Sequence, residues 1–266
     1  MKHSHHKVKN FISYIEWEDF LGVGILVLGL IGYFYPDFSK FLQDLHAGLI
    51  AIGITVLILD NANEAIKRRE EKKSLILQMG SPDNAFAVEA VRQLHYRGWL
   101  RDGSLNKAHL GFANLSNANL EGASMSGAEL GGAILSEANL EGANLSEAYL
   151  GRANLNRASL LGANLSGAFL LGANLSKTNL GFATMSKAYL ERANLSGAEL
   201  GFANLSGAEM EFTNLSGAEL TQANLRGAFL LGANLTDVNV TEEQLSEANL
   251  DENTTLPNGQ KYHPLI

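Results

Sequence analysis

The sequence predicts a β-solenoid of square cross-section over residues 103–240, preceded by helical segments apolar enough for a bilayer. Three observations carry this expectation. From Leu105 to Val240 every fifth residue is Leu, Met or Val, giving 28 consecutive pentads. The residue two places earlier is almost always Ala, from Ala108 and Ala113 onward, with Gly103, Thr178, Thr213 and Val238 as substitutes. Up to about Asp60 the apolar residues instead form two dense runs, so two parts of one chain are written for two different solvents. With 266 residues, 46% of them apolar, there is enough material for a core. The lack of cysteine excludes disulfides, thiolate metal sites and a Cys nucleophile.

Residues 1–19 form an N-terminal tail. Its His3, His5 and His6 have no fourth ligand nearby and are read as part of a disordered tail rather than a metal site. Residues 20–60 are expected to be a two-helix transmembrane hairpin in contact with lipid. The first run, "FLGVGILVLGLIGYFY" from Phe20 to Tyr35, carries no charge, and the second extends from Phe41 to Leu59. As helices they reach about 24 and 28 Å, close to the ~30 Å of a hydrocarbon layer. Trp17, Tyr33 and Tyr35 stand where interfacial aromatics belong, and the glycines of the first run allow close helix approach. A buried hairpin of a soluble protein is the competing reading. Lys2, Lys7 and Lys9 precede the first run and Lys67, Arg68, Arg69, Lys72 and Lys73 follow the second, against Lys40 alone between them. This asymmetry puts both termini, and with them the repeats, on the cytoplasmic side.

Residues 61–102 are expected to be a helical connector and N-terminal cap. A helix over 62–79 leaves the membrane and ends at Gly80; Ser81 can cap the next helix and Pro82 suits its first turn. In that helix Phe86, Ala90, Val91 and Leu94 share a face that needs cover, and Gly98 supplies the stop. The open end of the structure beginning at Gly103 is the natural partner. His95 is read as a surface or packing residue.

Over residues 103–240 neither regular period accounts for the pentads. A step of five rotates by ~140° on an α-helix and smears Leu around it, while on a strand five is odd and alternates faces. The chain must therefore turn a corner once per pentad, which the intervening Asn, Ser and Gly favour. Four pentads closing one square give a 20-residue coil, with Leu at the centre of each side and Ala before the corner pointing inward. About seven coils at the ~4.8 Å strand spacing make a rod near 34 Å long. Each coil buries its Leu only against its neighbours, so both ends need caps.

Stretches such as "ANLSGAEL", "GANLEGANLSEAYL" and "GANLSGAFLLGANL" resemble the pentapeptide-repeat proteins, and this likeness covers residues 103–240. It implies a right-handed quadrilateral β-helix. The connector "LILQMGSPDNAFAVEAVRQLHYRGWLRDGSL" resembles a segment found before the repeats in membrane-associated bacterial members, implying a multi-pass protein of a bacterial cytoplasmic membrane. Some soluble members mimic DNA and bind topoisomerases. The acidic balance here, 16 Asp and Glu against 8 Lys and Arg from Ser104 onward, resembles that case. Scattered Arg152, Arg157, Lys177, Lys187, Arg192 and Arg226, with the anchor, make it the alternative rather than the leading expectation.

Residues 241–266 form a C-terminal cap and tail. At "VTEEQLSEANL" the inward small position becomes Glu243, which the bore cannot hold, so the coil is expected to stop. Thr241 and Gln244 have capping-box spacing, predicting a short helix over 242–248.

Residues 20 apart stack in columns. Asn154, Asn174, Asn194, Asn214 and Asn234 form a structural amide ladder. A variable column reads His109, Glu129, Tyr149, Phe169, Tyr189, Glu209, Phe229, with Leu171 and Leu231 beside it. Phe182 and Phe202 stack on another face, where they are expected to cover a glycine-rich corner. The candidate interaction face is Tyr149, Phe169, Leu171, Tyr189, Phe229 and Leu231, read either as an interface for a protein partner or a second copy, or as cross-coil packing. The acidic rod does not favour nucleic acid, and no motif points to catalysis, a cofactor, a metal or a small-molecule substrate. The expected function is a membrane-anchored, non-enzymatic scaffold.

Overall fold

The computed structural model describes residues 38–263. The chain divides into two compact units, Met1–Lys67 and Arg68–Ile266. The first apolar run, the tail before it and the basic residues Lys2, Lys7 and Lys9 lie outside the described residues.

Helix α1 spans Phe38–Met79, 42 residues without a break. The second apolar run and the helix expected after it are therefore one element. The sequence between them, Asp60-Asn61-Ala62-Asn63, sets the strong helix former Ala62 among Asp and Asn residues that each cost less than ~1 kcal/mol, and holds no Gly or Pro. From Leu49 to Leu59 the Leu, Ile and Val side chains are exposed on every side of the helix. Among the described residues α1 is the one helix long and apolar enough to cross a membrane.

The last turns of α1 belong to the second unit. Leu75 and Met79 are buried there, and Lys72 reaches Asp102 at 2.6 Å. Arg97 pairs with Glu71 through both guanidinium nitrogens, and Lys72 and Arg97 lie 5.0 and 5.1 Å from the centre of the Trp99 ring. Helix α2 follows at Asn84–Tyr96. Its N-cap is Asp83, whose carboxylate accepts from the Ala85 and Phe86 N–H groups; Ser81 instead accepts from the Asp83 N–H. Starting there, the buried stripe is Ala87, Ala90, Val91 and Leu94, spaced as one helical face, and Phe86 is exposed. Gly98 adopts φ +70 and closes the helix: its N–H reaches the His95 carbonyl, and that of Trp99 reaches Leu94.

From Ala108 onward the chain forms four ladders of single parallel bridges, joining residues 20 apart except at the last rung, Asn234 to Thr255. One runs His109, Glu129, Tyr149, Phe169, Tyr189, Glu209, Phe229 and Asn249; another passes through Asn154, Asn174, Asn194, Asn214 and Asn234. Each side of the square is Ala, bridge residue, Leu. Ala and Leu both point inward and are essentially inaccessible, while the bridge residue between them points out. The Ala therefore follows a corner instead of preceding one. The reason is the turn: the Ala113 N–H donates to the Leu110 carbonyl across 3.2 Å, closing a corner over Gly111 and Phe112.

The second corner residue is left-handed. Fifteen non-glycine residues hold φ between 54 and 60 there, including Phe112, Glu147 and Lys187. Such a conformation costs ~1 kcal/mol or more per residue. Backbone bonding to the next coil offsets it, as where Phe112 N–H meets the Gly131 carbonyl at 3.0 Å. Asparagine assists from the side: the Asn174 carboxamide oxygen accepts the Ser176 N–H at 3.1 Å and the Asn194 amide at 3.4 Å.

Where Thr replaces Ala in the bore its hydroxyl is satisfied. Thr178 donates to the Leu175 carbonyl in its own turn, and Thr213 to Leu190 one coil back at 2.8 Å.

At the far end, α3 (Glu242–Ser246) carries the reciprocal Thr241–Gln244 capping box. Glu243 is exposed, so the chain does leave the bore at this point. It then rejoins the ladders, contrary to the expected stop: Phe229 bridges Asn249 and Asn234 bridges Thr255. Leu245, Ala248 and Leu250 pack against the core, and the Gln244 amide donates to the Leu220 and Ala223 carbonyls at 2.8 Å each. Helix α3 thus replaces one side of a coil without ending the stack.

Candidate functional site

Because each coil repeats at 20 residues, the bridge positions of one ladder line up on one outer face. Tyr149, Phe169 and Tyr189 occupy consecutive levels, and their rings stack with centroids 4.8 Å apart and interplanar angles of 5° and 1°. These spacings are the coil repeat itself, so the backbone sets the geometry and the rings gain stacking at little further ordering cost. Near-zero angles mean that the three rings lie parallel. Tyr149 is exposed, and Phe169 and Tyr189 are half-buried.

The six candidate residues do not form one continuous patch. Tyr149, Phe169 and Tyr189 are an unbroken stack, with Leu171, 54% exposed, at the corner beside Phe169. Glu209 then interrupts the ladder, and Phe229 stands beyond it with half-buried Leu231 at its corner. The nonapeptide "GAFLLGANL" occurs at 167–175 and again at 227–235, and both copies place their Phe on this face, since Phe169 connects to Phe229 by three successive bridges.

The stack forms one wall of a groove of about 600 Å³, whose lining the sequence reading missed: Lys107, Gly127, Glu147, Gly167 and Lys187 along the adjacent corners, together with Glu129. At 20-residue spacing this corner column alternates charge and glycine. The side chains of Lys107 and Glu147 lie over Gly127 and Gly167, their Cγ atoms 3.3 and 3.8 Å from where a glycine Cβ would stand. The signal was present in the sequence as a column two residues before the aromatic one. His109 stands on the same face, its Nδ1 2.6 Å from a Glu129 carboxylate oxygen.

At the far side of Tyr189 the electrostatics change. Burial, together with a side-chain contact to Glu191 and the nearby charge of Glu211, holds the Glu209 carboxyl above the ordinary range. One Glu211 carboxylate oxygen is buried without a hydrogen-bond partner. The face therefore has a mixed-charge aromatic part and an acidic part.

On another face the expected phenylalanine stack forms, but other rings cover the glycine corners. Phe182 and Phe202 stack on each other at 4.9 Å with an angle of 1°. The rings lying over glycine corners are those of Phe112 and Phe212, placed where a Cβ on Gly132 or Gly232 would come within 2.6 and 2.7 Å. Side chains at left-handed corners lean toward the following coil, and a glycine there leaves room for a flat ring. His95 lines a smaller groove of about 360 Å³ with Val88, Val91, Tyr96 and Asn119.

The comparisons with known proteins concern this repeat region. The family model "Pentapeptide repeats (8 copies)" matches in overlapping segments over 104–211 and again over 213–251. A search of curated proteins gave no match. Among solved structures, the plasmid-mediated fluoroquinolone resistance protein QnrB1 is 22% identical, covering 55% of this chain and 79% of its own, with a TM-score of 0.46. HetL from the cyanobacterium Nostoc, described as involved in heterocyst differentiation regulation, is 28% identical over 64% of this chain and 98% of its own, TM-score 0.26. A protein of the Arabidopsis thaliana thylakoid lumen is 28% identical over 40% and 67%, TM-score 0.28. All three scores fall below 0.5, and the assignment of the chain rests on its repeats.

Proposed function

Because the chain belongs to the pentapeptide-repeat family, and so folds as a right-handed β-helix, we propose that it is a membrane-anchored, non-enzymatic scaffold whose aromatic face engages a protein. In this reading the apolar part of α1, paired with the run over 20–35, is a two-helix anchor in a bacterial cytoplasmic membrane. Residues 61–102 connect and cap, about seven coils over 103–240 form the rod, and residues 241–266 close it. Both termini and the rod are cytoplasmic.

The observation that carries the proposal is the solvent-facing stack of Tyr149, Phe169 and Tyr189 along a groove of about 600 Å³. Stacking gives the rings a rigid platform, and rigid aromatic anchors are the side chains that contribute most to protein interfaces. Leu171, Phe229 and Leu231 extend the same face. The all-round apolar surface of α1 supports the anchor, since side chains such as Ile52 and Leu57 are 62% and 64% exposed and need a non-aqueous surrounding.

Affinity capture from solubilised membranes, comparing wild type with Phe169→Ser plus Phe229→Ser, tests the face: a partner should be lost, and an unchanged set would return these rings to mere packing. Membrane fractionation with cysteine-accessibility mapping tests the anchor. A soluble product, or repeats labelled from outside intact cells, would overturn it.

A further inference from the structure

The apolar part of α1 is bounded by two short carboxylates. Asp44 and Asp60 stand 16 residues apart on one unbroken helix, a rise of ~24 Å. Between them only His46 and Thr55 carry polar side chains, and the Thr55 hydroxyl donates to the Ala51 carbonyl of its own helix at 2.8 Å. Leu49, Ile52, Val56 and Leu59 face one way and Ile50, Ile54 and Leu57 the other, and all seven are exposed. A Cβ added at Gly48 or Gly53 would meet no atom within 4 Å, so among the described residues nothing packs against the helix there.

Three other roles for so short an apolar helix do not fit. A core helix would be buried, and this one is exposed. A helix lying along a membrane surface keeps one polar face, and this stretch is apolar all round. A re-entrant segment turns back within the membrane, whereas α1 continues as helix to Met79. What remains is a span whose ends are fixed by charge.

An ordinary span needs about 17–25 residues to cross ~30 Å of hydrocarbon. Lysine or arginine at the ends of a shorter one could still reach the interface along the stem. Aspartate has a single methylene, so a layer thicker than the distance between Asp44 and Asp60 strips water from one carboxylate or the other. Tilting the helix only shortens its reach across the layer.

We propose that α1 takes a thin bilayer as its partner, with a hydrocarbon layer of ~24 Å set by Asp44 and Asp60 and formed by short-chain lipid around the helix. The inference rests on the reading of α1 as an anchor and names the lipid that surrounds it. Mismatch costs accumulate with each ångström of excess thickness, so affinity for lipid falls as the acyl chains lengthen.

The chain has no cysteine, so single introduced ones report without background. Gln43→Cys and Asn61→Cys keep both aspartates and lie 18 residues apart, ~27 Å along the helix. The sample is the full chain in its native membranes, opened so that a water-soluble maleimide reaches both sides. Both positions should label fast while Ile52→Cys stays protected. Asp44→Leu with Asp60→Leu lets the helix sit in a thicker layer, and labelling at 43 and 61 should then slow by roughly tenfold. The purified full chain, offered dimyristoleoyl and dierucoyl phosphatidylcholine vesicles in equal amounts, should favour the short-chain lipid by roughly tenfold or more, and the double-leucine variant should lose that preference.

Protection of either end position in the chain that keeps both aspartates, equal recovery with the two lipids, or a double-leucine variant that changes neither result overturns the proposal and leaves α1 an ordinary span. Ile52→Cys labelling as fast as Asn61→Cys would remove the anchor itself and the proposal with it. Fast labelling at both ends, with a short-chain preference that the double-leucine variant abolishes, upholds it.

Discussion

The Asn174 amide donates to the Asn154 carboxamide oxygen across 3.2 Å, and that same oxygen accepts the Asn156 N–H across 3.1 Å. One side chain thus fixes a corner in its own coil and ties it to the next. The residue type follows from this double duty, since a carboxamide places an acceptor oxygen and a donor nitrogen on two separate atoms of one planar group. Asn174→Ala removes the acceptor for Ser176 N–H and two rungs of the ladder. It is expected to destabilise the rod by roughly 1–2 kcal/mol, read as a lower midpoint in chemical denaturation. Asn174→Asp keeps the acceptor and loses the donors, so it should retain the corner yet still weaken the ladder. A variant at wild-type stability would show the ladder to be incidental.

Leu170 and Leu171 are adjacent and chemically identical, yet the first is inaccessible and the second is 54% exposed. Leu170→Ala should cost on the order of 2–5 kcal/mol, because neighbouring coils cannot close over the lost volume. Leu171→Ala should stay within about 0.5 kcal/mol. Thermal melts of the two purified variants compare them directly, and similar losses would contradict the inward and outward assignment.

This contrast also marks what could be read from sequence. The interval of five, with Leu170 on the beat and Leu171 off it, was sufficient to place one inside and one outside. Stacking of Tyr149, Phe169 and Tyr189 followed from the 20-residue coil. The position of Ala relative to the corner did not follow, because it depends on which peptide closes the turn, and two small residues in a row are compatible with either phase. Asp83 was missed as the cap of α2 since Ser81 and Asp83 are both acceptable caps and Pro82 fits beside either. The return of the chain at Asn249 was hidden for a different reason. Leu245 and Leu250 keep the five-residue interval and Ala248 stands two places before Leu250, so the return was written in the sequence, but the charged Glu243 at an inward position and the capping-box spacing of Thr241 and Gln244 pointed to an end. The groove residues Lys107, Glu147 and Lys187 were visible in the columns, but only a face with depth shows that they border the rings.

The returning segment carries its own electrostatic anchor. Burial alone would raise the Asp251 carboxyl, but hydrogen bonds from Asn253, the Gly232 N–H and Thr254 outweigh it and hold the group down at about 2. A depressed carboxylate contributes stability above its unfolded value, and that contribution disappears as pH falls through the folded one. The window here lies between about 4 and 2, in line with the ordinary value of 3.8. The last coil should therefore loosen in that range before the central coils do. Hydrogen exchange at Gly232 and Thr255, followed against pH, checks this, and Asp251→Ala should show the fast exchange already at neutral pH.

Glu209 presents the opposite sign. Its carboxyl is raised, first by burial and then by Glu191 and Glu211, so the folded state holds its proton more tightly than the unfolded chain does. Stability from this group is complete below the ordinary value of 4.5 and is lost as pH rises through the higher folded value. At neutral pH the three carboxylates oppose one another in a part of the face where Glu211 already has an unpaired oxygen. Glu209→Gln keeps the shape and removes one charge from the cluster. It should raise the melting midpoint at pH 8, with the advantage shrinking as pH approaches 4, where wild-type Glu209 is itself neutral. Melts of both proteins across that range give the result. A variant no more stable than wild type at pH 8 would mean that solvent already screens the cluster, and the acidic break after Tyr189 would then carry no energetic cost for the fold.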